Sequence, residues 1–270
     1  MRELDRIRDN TKVPAPAHEG PSSGEVELRS VSVSVVGAGR LGTLLAVALA
    51  EAGHTVDGPL TRGELPASSS DLVLICTPDS SIAEVASQLP AGPILGHCCG
   101  SRGLEVLPVG RPGLCLHPLM TVTPAATPTT LHGAWAAVDA TDDDSLQFAE
   151  ALSETLGMQP VRISAEDRAV YHAAASMASN FLITIEAAAE RLAASAGLPS
   201  EALVPLVRAT VDNWETLGSH DALTGPVARG DLETVARQRA AVERSNPELL
   251  DLFDALCAGT TEVASPEVPA

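Results

Sequence analysis

The sequence has almost no lysine. Lys12 is the single one in 270 residues, and it stands in a polar N-terminal stretch, so no mechanism that needs a lysine in the core is open to this chain. Positive charge is scarce altogether. Seventeen Lys and Arg face 35 Asp and Glu, for a formal net charge of −18, which argues against nucleic acid or an anionic membrane as a partner. A local basic pocket can still hold a phosphate or a carboxylate. Long apolar runs are missing as well: no run of 18 apolar residues occurs and the first thirty residues are polar, so neither a membrane span nor a signal peptide is expected. The five cysteines are odd in number and lack disulfide-framework spacing, which points to a reducing, cytoplasmic setting.

Metal-binding spacing is a further absence. His97, Cys98, Cys99, Cys115 and His117 offer nitrogen and sulfur on two adjacent expected strand ends, but no CxxC or HExxH occurs. Adjacent Cys98 and Cys99 would also point in opposite directions on a strand. No metal is expected.

What is present is an α/β pattern followed by a helical one. Residues 1–29 mix charge with Pro, Gly and Ser and read as a disordered arm. From 30 to 164, β-rich runs alternate with helical patterns: Val31–Val36, His54–Val56, Leu72–Cys76, Ile94–His97, Leu114–His117, Ala134–Val138 and Val161–Ile163. That alternation predicts βαβ units and a doubly wound, mainly parallel sheet. From 165 to 258 the β signal stops. Helical patterns cover 165–196, 200–218, 231–244 and 247–257, broken at Gly197-Leu198-Pro199, Gly218 and Asn246-Pro247. Residues 259–270 read as a polar tail. A Rossmann domain followed by an all-helical domain is the expected architecture.

The sharpest motif is "VSVSVVGAGRLGTLLAVALAEAGH". A valine-rich strand runs into Gly37-x-Gly39-x-x-Gly42 and then a helix. Gly37 permits the turn and Gly39 lets the backbone approach a pyrophosphate. Gly42 lets helix and strand pack closely, and the helix N-terminus through Arg40 and Leu41 faces the phosphates. NAD sites place an acid at the end of the second strand. Here Asp57 falls too early, Leu60 holds the expected position, and Thr61 and Arg62 follow, suited to a 2′-phosphate. NADP is the expected cofactor, although Arg62 also reads plainly as a solvated loop residue. Thr77-Pro78 ends the next strand and would pass beside the cofactor.

His97 and His117 end two strands, where ligands of doubly wound sheets bind; each could equally be a hydrogen-bonded core histidine. In "EDRAVYHAAASMASN", Arg168, His172, Ser176, Asn180 and Thr184 recur every four residues. Such spacing draws a narrow polar stripe down an apolar α-helix. Short donors and acceptors there suit a closed polar cleft, or else hydrogen bonding between helices. His172 and Asn180 are candidates for catalysis beside His117. His97, Ser176 and Asn213 are candidates for substrate binding. In "HDALTGPVARGDLETV", Asp231 can cap a helix beginning at Leu232, and Arg229 is left as a candidate clamp for an anionic substrate.

The stretch 30–258 resembles the 6-phosphogluconate-dehydrogenase-like superfamily, and more closely the bacterial Rossmann-like plus DUF2520 proteins. The resemblance is carried by "GAGRLG", "GHCCGSRG", "LHPLMTV", "YHAAASMASN" and "ALTGPVARGD". It implies an NADP-dependent oxidoreductase, with hydride passing between nicotinamide and a small carbonyl or hydroxy acid, and a homodimer built through the helical domain. Relatives include ketopantoate reductase, pyrroline-5-carboxylate reductase and prephenate dehydrogenase. Several use a helical-domain lysine that this chain lacks. Arg168 stands near the start of the matching helix but stays charged and is a poor proton donor. His117-Pro118 resembles the histidine-proline pair of prephenate dehydrogenases. The competing expectation is a non-catalytic NADP-binding sensor or scaffold.

Overall fold

The computed structural model describes residues 29–265. The expected arm, 1–29, therefore lies outside the described residues except for Arg29. The described residues form two compact units, the first ending at His172 and the second beginning at Ala173.

In the first unit all seven expected β-runs are strands: β1 (Ser32–Val36), β2 (Thr55–Leu60), β3 (Leu72–Ile75), β4 (Ile94–His97), β5 (Gly113–Pro118), β6 (Trp135–Ala140) and β7 (Gln159–Arg162). They make one sheet in the order β2-β1-β3-β4-β5-β6-β7. Every neighbouring pair is parallel except β5 and β6, which are antiparallel. Helices α1 (Arg40–Glu51), α2 (Ile82–Gln88) and α3 (Asp143–Thr155) cover the sheet. Coverage of both faces explains why β3 reads as an unbroken aliphatic run rather than an alternating one. Leu72 and Leu74 pack in one cluster with Leu45 and Leu49 of α1, whereas Val73 and Ile75 pack in the other with Ile82 of α2. Asp142 caps α3, its carboxylate accepting from Ser145 N at 2.8 Å.

The chain leaves β1 for β2 on one side and returns to β3 on the other. That reversal opens a crevice beyond the carboxyl ends of β1 and β3.

The division between units falls later than the expected boundary at 164/165. Residues 165–172, a turn followed by the start of the first helix after the sheet, belong with the sheet. Arg168 opens α4 (Arg168–Ser176) and is 1% exposed. Its Nη1 donates to Cys115 Sγ at 3.1 Å, and Nη2 lies 3.8 Å from Asp139 Oδ2. Burying a cation beside β5 and β6 ties this segment to the sheet, since a buried charge without its partner is strongly destabilising.

The second unit holds α5 (Leu182–Ser195), α6 (Val204–Ala222), α7 (Leu232–Ser245) and α8 (Leu250–Ala264). Arg239 grips Asp254 with Nε and Nη2, linking α7 to α8. Arg191 pairs with Glu248, and Asp231 caps α7 through Thr234 N at 3.1 Å. Gly218 interrupts α6 with φ +78° and ψ 172°, the break read from the sequence. Two expectations need correction. Helix α8 runs to Ala264 instead of stopping near 258, the hydroxyls of Thr260 and Thr261 folding back onto the carbonyls of Leu256 and Cys257. And α4 passes into a π-helical turn, Met177–Phe181, before α5 begins. Its wider turn breaks the four-residue repeat, so the stripe from Arg168 to Thr184 is not one straight line. Thr184 turns its hydroxyl to the Asn180 carbonyl at 3.2 Å.

Candidate active site

Gly37 has φ +119°, a conformation open to glycine, and a Cβ there would sit 2.7 Å from the Cys76 carbonyl carbon. At Gly42 a Cβ would lie 1.9 Å from the Gly37 carbonyl oxygen. Helix α1 can approach β1 this closely only with glycine at 42. Gly39 meets nothing within 4 Å: its side of the loop faces open space at the start of α1, where free backbone N–H groups and the helix dipole favour an anion. Gly37 N donates to Leu60 O at 2.9 Å, tying the end of β2 to the loop.

Two of the cavities that adjoin this loop also reach the end of β3. One, about 520 Å³, is lined by Gly39, Arg40, Leu41, Cys76, Thr77 and His117 among others. The second, about 660 Å³, is lined by Gly37, Thr61, Arg62, Glu64, Thr77 and Pro78 among others. Thr77 and Pro78 border both. The Thr77 hydroxyl is buried without a hydrogen-bond partner among the described residues. Buried hydroxyls ordinarily find partners, and a dinucleotide threaded from one cavity to the other would supply it.

The end of β2 holds a residue that sequence reasoning missed. Asp57 is committed elsewhere, accepting from Ser34 Oγ at 3.0 Å and Ala67 N at 2.8 Å. Glu64 instead folds back over Thr61, accepting from its N at 2.5 Å and its Oγ1 at 2.7 Å. Those bonds lower the Glu64 pKa. The Thr-x-x-Glu spacing, which also makes capping boxes, was the available signal. The second cavity thus offers Arg62 and, two residues on, Glu64, one suited to a 2′-phosphate and the other to ribose hydroxyls.

At the other end, His117 lines the first cavity. Its Nδ1 lies 2.7 Å from the hydroxyl of Tyr171, and its ring meets that of His172 at a centroid distance of 6.2 Å. Both imidazoles stand over Gly100, where a Cβ would come within 2.8 Å of each. Burial first, then His172 and the Arg168 cation, lowers the His117 pKa to about 4. Tyr171 was not among the residues picked out from the sequence, although it sits beside His172 in the stretch that was.

His97 is not brought to either cavity. It is fully buried, with Nε2 3.1 Å from Gly103 O and Nδ1 accepting from Cys99 N at 3.2 Å. Both ring nitrogens are spent on backbone, which is the core role weighed against substrate binding. Its pKa is lowered to about 4, chiefly by burial and then by Arg168. Cys98 and Cys99 follow the end of β4 and diverge, Cys98 toward Cys76 and Cys99 toward Ser101. Ser176, Asn180, Asn213 and Arg229 all belong to the second unit; of these Ser176 is half-buried and the other three are exposed.

The comparisons with known proteins agree with this architecture. Residues 134–260 match the family model "Domain of unknown function (DUF2520)". That match begins at the foot of β6 and so takes in part of the sheet as well as the helices. A Bacteroides fragilis protein provisionally assigned as an NADP oxidoreductase superposes with a TM-score of 0.75 at 21% identity, covering 86% of this chain and 98% of that one. Protein TM1727 of Thermotoga maritima gives 0.70 at 25% identity, over 86% and 99%. A reductive aminase from Aspergillus terreus, in complex with NADPH and ethyl levulinate, gives 0.62 at 16%, over 87% and 94%. No curated protein matches the sequence significantly. The class is therefore a Rossmann fold with an appended helical region, shared with proteins of NADP-linked redox chemistry. The resemblance to DUF2520 proteins read from the motifs is borne out.

Proposed function

We propose that the chain is an NADP(H)-dependent oxidoreductase acting on a small, anionic carbonyl or hydroxy-acid compound. The observation that carries the reading is the single lining shared by the glycine loop, the unpartnered Thr77 hydroxyl and His117 in one cavity. Reduced nicotinamide would supply the hydride there. Gly37, Gly39 and the first turn of α1, with Arg40 and Leu41, would hold the pyrophosphate. Thr61 and Arg62 would take the 2′-phosphate, and Thr77 and Pro78 the stretch leading to nicotinamide. His117 would bond the substrate oxygen. His172 stands near enough to His117 to hold its ring against Gly100 or to receive a substrate anion. Asn180 is kept as a catalytic candidate, and Ser176, Asn213 and Arg229 as substrate-binding candidates; all four belong to the second unit.

The second unit also supports the homodimer reading. On α6, Leu206 is 65% exposed and Trp214 58%, and large apolar side chains of this kind are common at interfaces between chains. A second copy is the proposed cover. Among the described residues no helix is long and apolar enough to cross a membrane; with the reduced cysteines, a cytoplasmic location is proposed.

The deciding experiment is NADPH oxidation with a panel of 2-oxo acids, oxo esters and cyclic imines, the imines included because the reductive aminase shares the fold. Turnover that falls more than ~10-fold in His117→Asn with NADPH affinity retained supports the reading. Tight NADPH binding without turnover of any compound would favour the sensor instead.

A further inference from the structure

Tyr171 is the only tyrosine in the chain. Its hydroxyl has one protein partner among the described residues, His117 Nδ1 at 2.7 Å, and the rings meet edge-on with centroids 5.7 Å apart. The direction of that bond follows from acidity. A phenol is a stronger acid than a neutral imidazole N–H, and a bare ring nitrogen is a stronger base than a phenol oxygen, so the bond runs O–H···N. With Nδ1 accepting, neutral His117 carries its proton on Nε2. The Nε2 edge is the one over Gly100, where a Cβ would stand 2.7 Å from Nε2 and 2.8 Å from Cε1. Any side chain at 100 would displace the imidazole, and the glycine leaves it free to line the cavity.

A neutral Nε2–H is a good hydrogen-bond donor but a weak acid, because losing the proton alone would leave an imidazolate. Imidazolium is no remedy at neutral pH: burial, His172 and Arg168 hold the His117 pKa near 4. We propose that Tyr171 is a positioning residue that keeps His117 in the Nε2–H tautomer and passes its phenolic proton to Nδ1 as the Nε2 proton leaves.

The inference rests on the oxidoreductase reading, and its steps balance. Bound NADPH would supply a hydride to the carbonyl carbon; the C=O π pair would then move to oxygen, which would take the Nε2 proton of His117. The N–H bonding pair stays on Nε2 as its in-plane lone pair, the ring C=N bond shifts from Nδ1 to Nε2, and the Nδ1 lone pair takes the Tyr171 proton. The O–H bonding pair stays on the phenol oxygen. Net, one proton has moved from Tyr171 to the new alcohol, and His117 is neutral before and after with its tautomer reversed. The relay then resets in reverse: Nε2 takes a proton from solvent water, and the Nδ1 proton returns to the phenolate oxygen of Tyr171. Burial takes the Tyr171 pKa up to about 12 while Arg168 pulls it down. It remains a stronger acid than the aliphatic alcohol being formed. The buried Arg168 guanidinium, whose Nε and Nη2 have no hydrogen-bond partner among the described residues, is the nearby cation that would offset the phenolate charge.

The test is ¹⁵N–¹H correlation of the histidine side chains in the cofactor-free protein, with His117 assigned by His117→Asn. The wild type should show His117 with bare Nδ1 and protonated Nε2, and Tyr171→Phe should mix the two tautomers. In any compound that the panel identifies, Tyr171→Phe should lower kcat at least ~10-fold while leaving KM and NADPH affinity within about twofold. An Nδ1–H tautomer in the wild type, or an unchanged tautomer in Tyr171→Phe, overturns the inference. The wild-type spectrum decides even if the variant folds poorly. Failure to bind NADPH would instead sink the functional reading, which keeps the two failures apart.

Discussion

The two units finish their surfaces differently. In the first, both faces of the sheet are covered by the chain's own helices, and Val33, Val35, Leu72, Val73, Leu114 and Leu116 are fully buried. In the second, buried apolar residues are few, among them Ala193, Val242 and Leu249, while Leu206, Val211, Trp214 and Leu217 along α6 stay exposed. The hydrophobic effect acts on both, at about 25 cal/mol per Å² of apolar area removed from water. The difference shows that the first unit closes its core within one chain and builds its cavities from its own loops. The second leaves several large apolar side chains of α6 exposed.

That contrast breaks most sharply at Gly42. A side chain there collides with the Gly37 carbonyl inside the self-contained unit, so Gly42→Val should weaken NADPH binding on the order of 100-fold or more. Fluorescence titration reads this, and affinity within threefold of wild type would mean that the loop does not hold the phosphates. The second unit should respond in another way. Replacing Leu206 and Trp214 together by Glu should convert the proposed homodimer to monomer in light scattering. An unchanged mass would remove α6 from the proposed interface.

Acid offers a third and smaller probe, confined to the first unit. The folded pKa of His97 lies near 4, below the ordinary 6.5, because burial disfavours its charged form. The unfolded chain therefore binds the extra proton between those values. The His97 contribution is fully present above about pH 6.5 and is lost as pH falls toward 4, on the order of 3 kcal/mol by that depth. His117 acts in the same direction. Denaturant melts across this window should show the loss, and His97→Gln should flatten it. A wild-type stability that does not fall from pH 6.5 to 4 would contradict the burial argument.

The smallest effect concerns the second cavity. Arg62→Ala should cost NADPH about tenfold relative to NADH, through the lost ion pair with the 2′-phosphate. Glu64→Gln should tighten NADPH a few-fold, since its carboxylate stands on Thr61 where that phosphate is proposed to sit. Equal responses to both nucleotides would remove the assignment of this end of the site.

How much was legible follows from what each feature depends on. Strands β1 to β7 and the glycine loop are local patterns, written in aliphatic runs and in glycines at fixed spacing, and they were readable. His117 at the end of β5 followed from the fold. Tyr171 did not, because its meaning lies in a contact 54 residues away in sequence. The π-helical turn at Met177–Phe181 defeated a stripe drawn on α-helical spacing. The boundary at His172 turned on Arg168, which the sequence shows only as the charged head of the helical stripe and which is buried beside Cys115 and Asp139. His97 shows the opposite error: a strand-end histidine suggested chemistry, and the backbone of Gly103 and Cys99 had claimed it.

A crystal structure with NADPH bound tests the central claim most directly. The account predicts the pyrophosphate over Gly39 and the first turn of α1, with the Thr77 hydroxyl bonded to the cofactor. It places the nicotinamide in the cavity lined by His117, close enough for one substrate oxygen to reach Nε2. A nicotinamide lodged away from His117, or a cofactor that leaves the Thr77 hydroxyl without a partner, would contradict it.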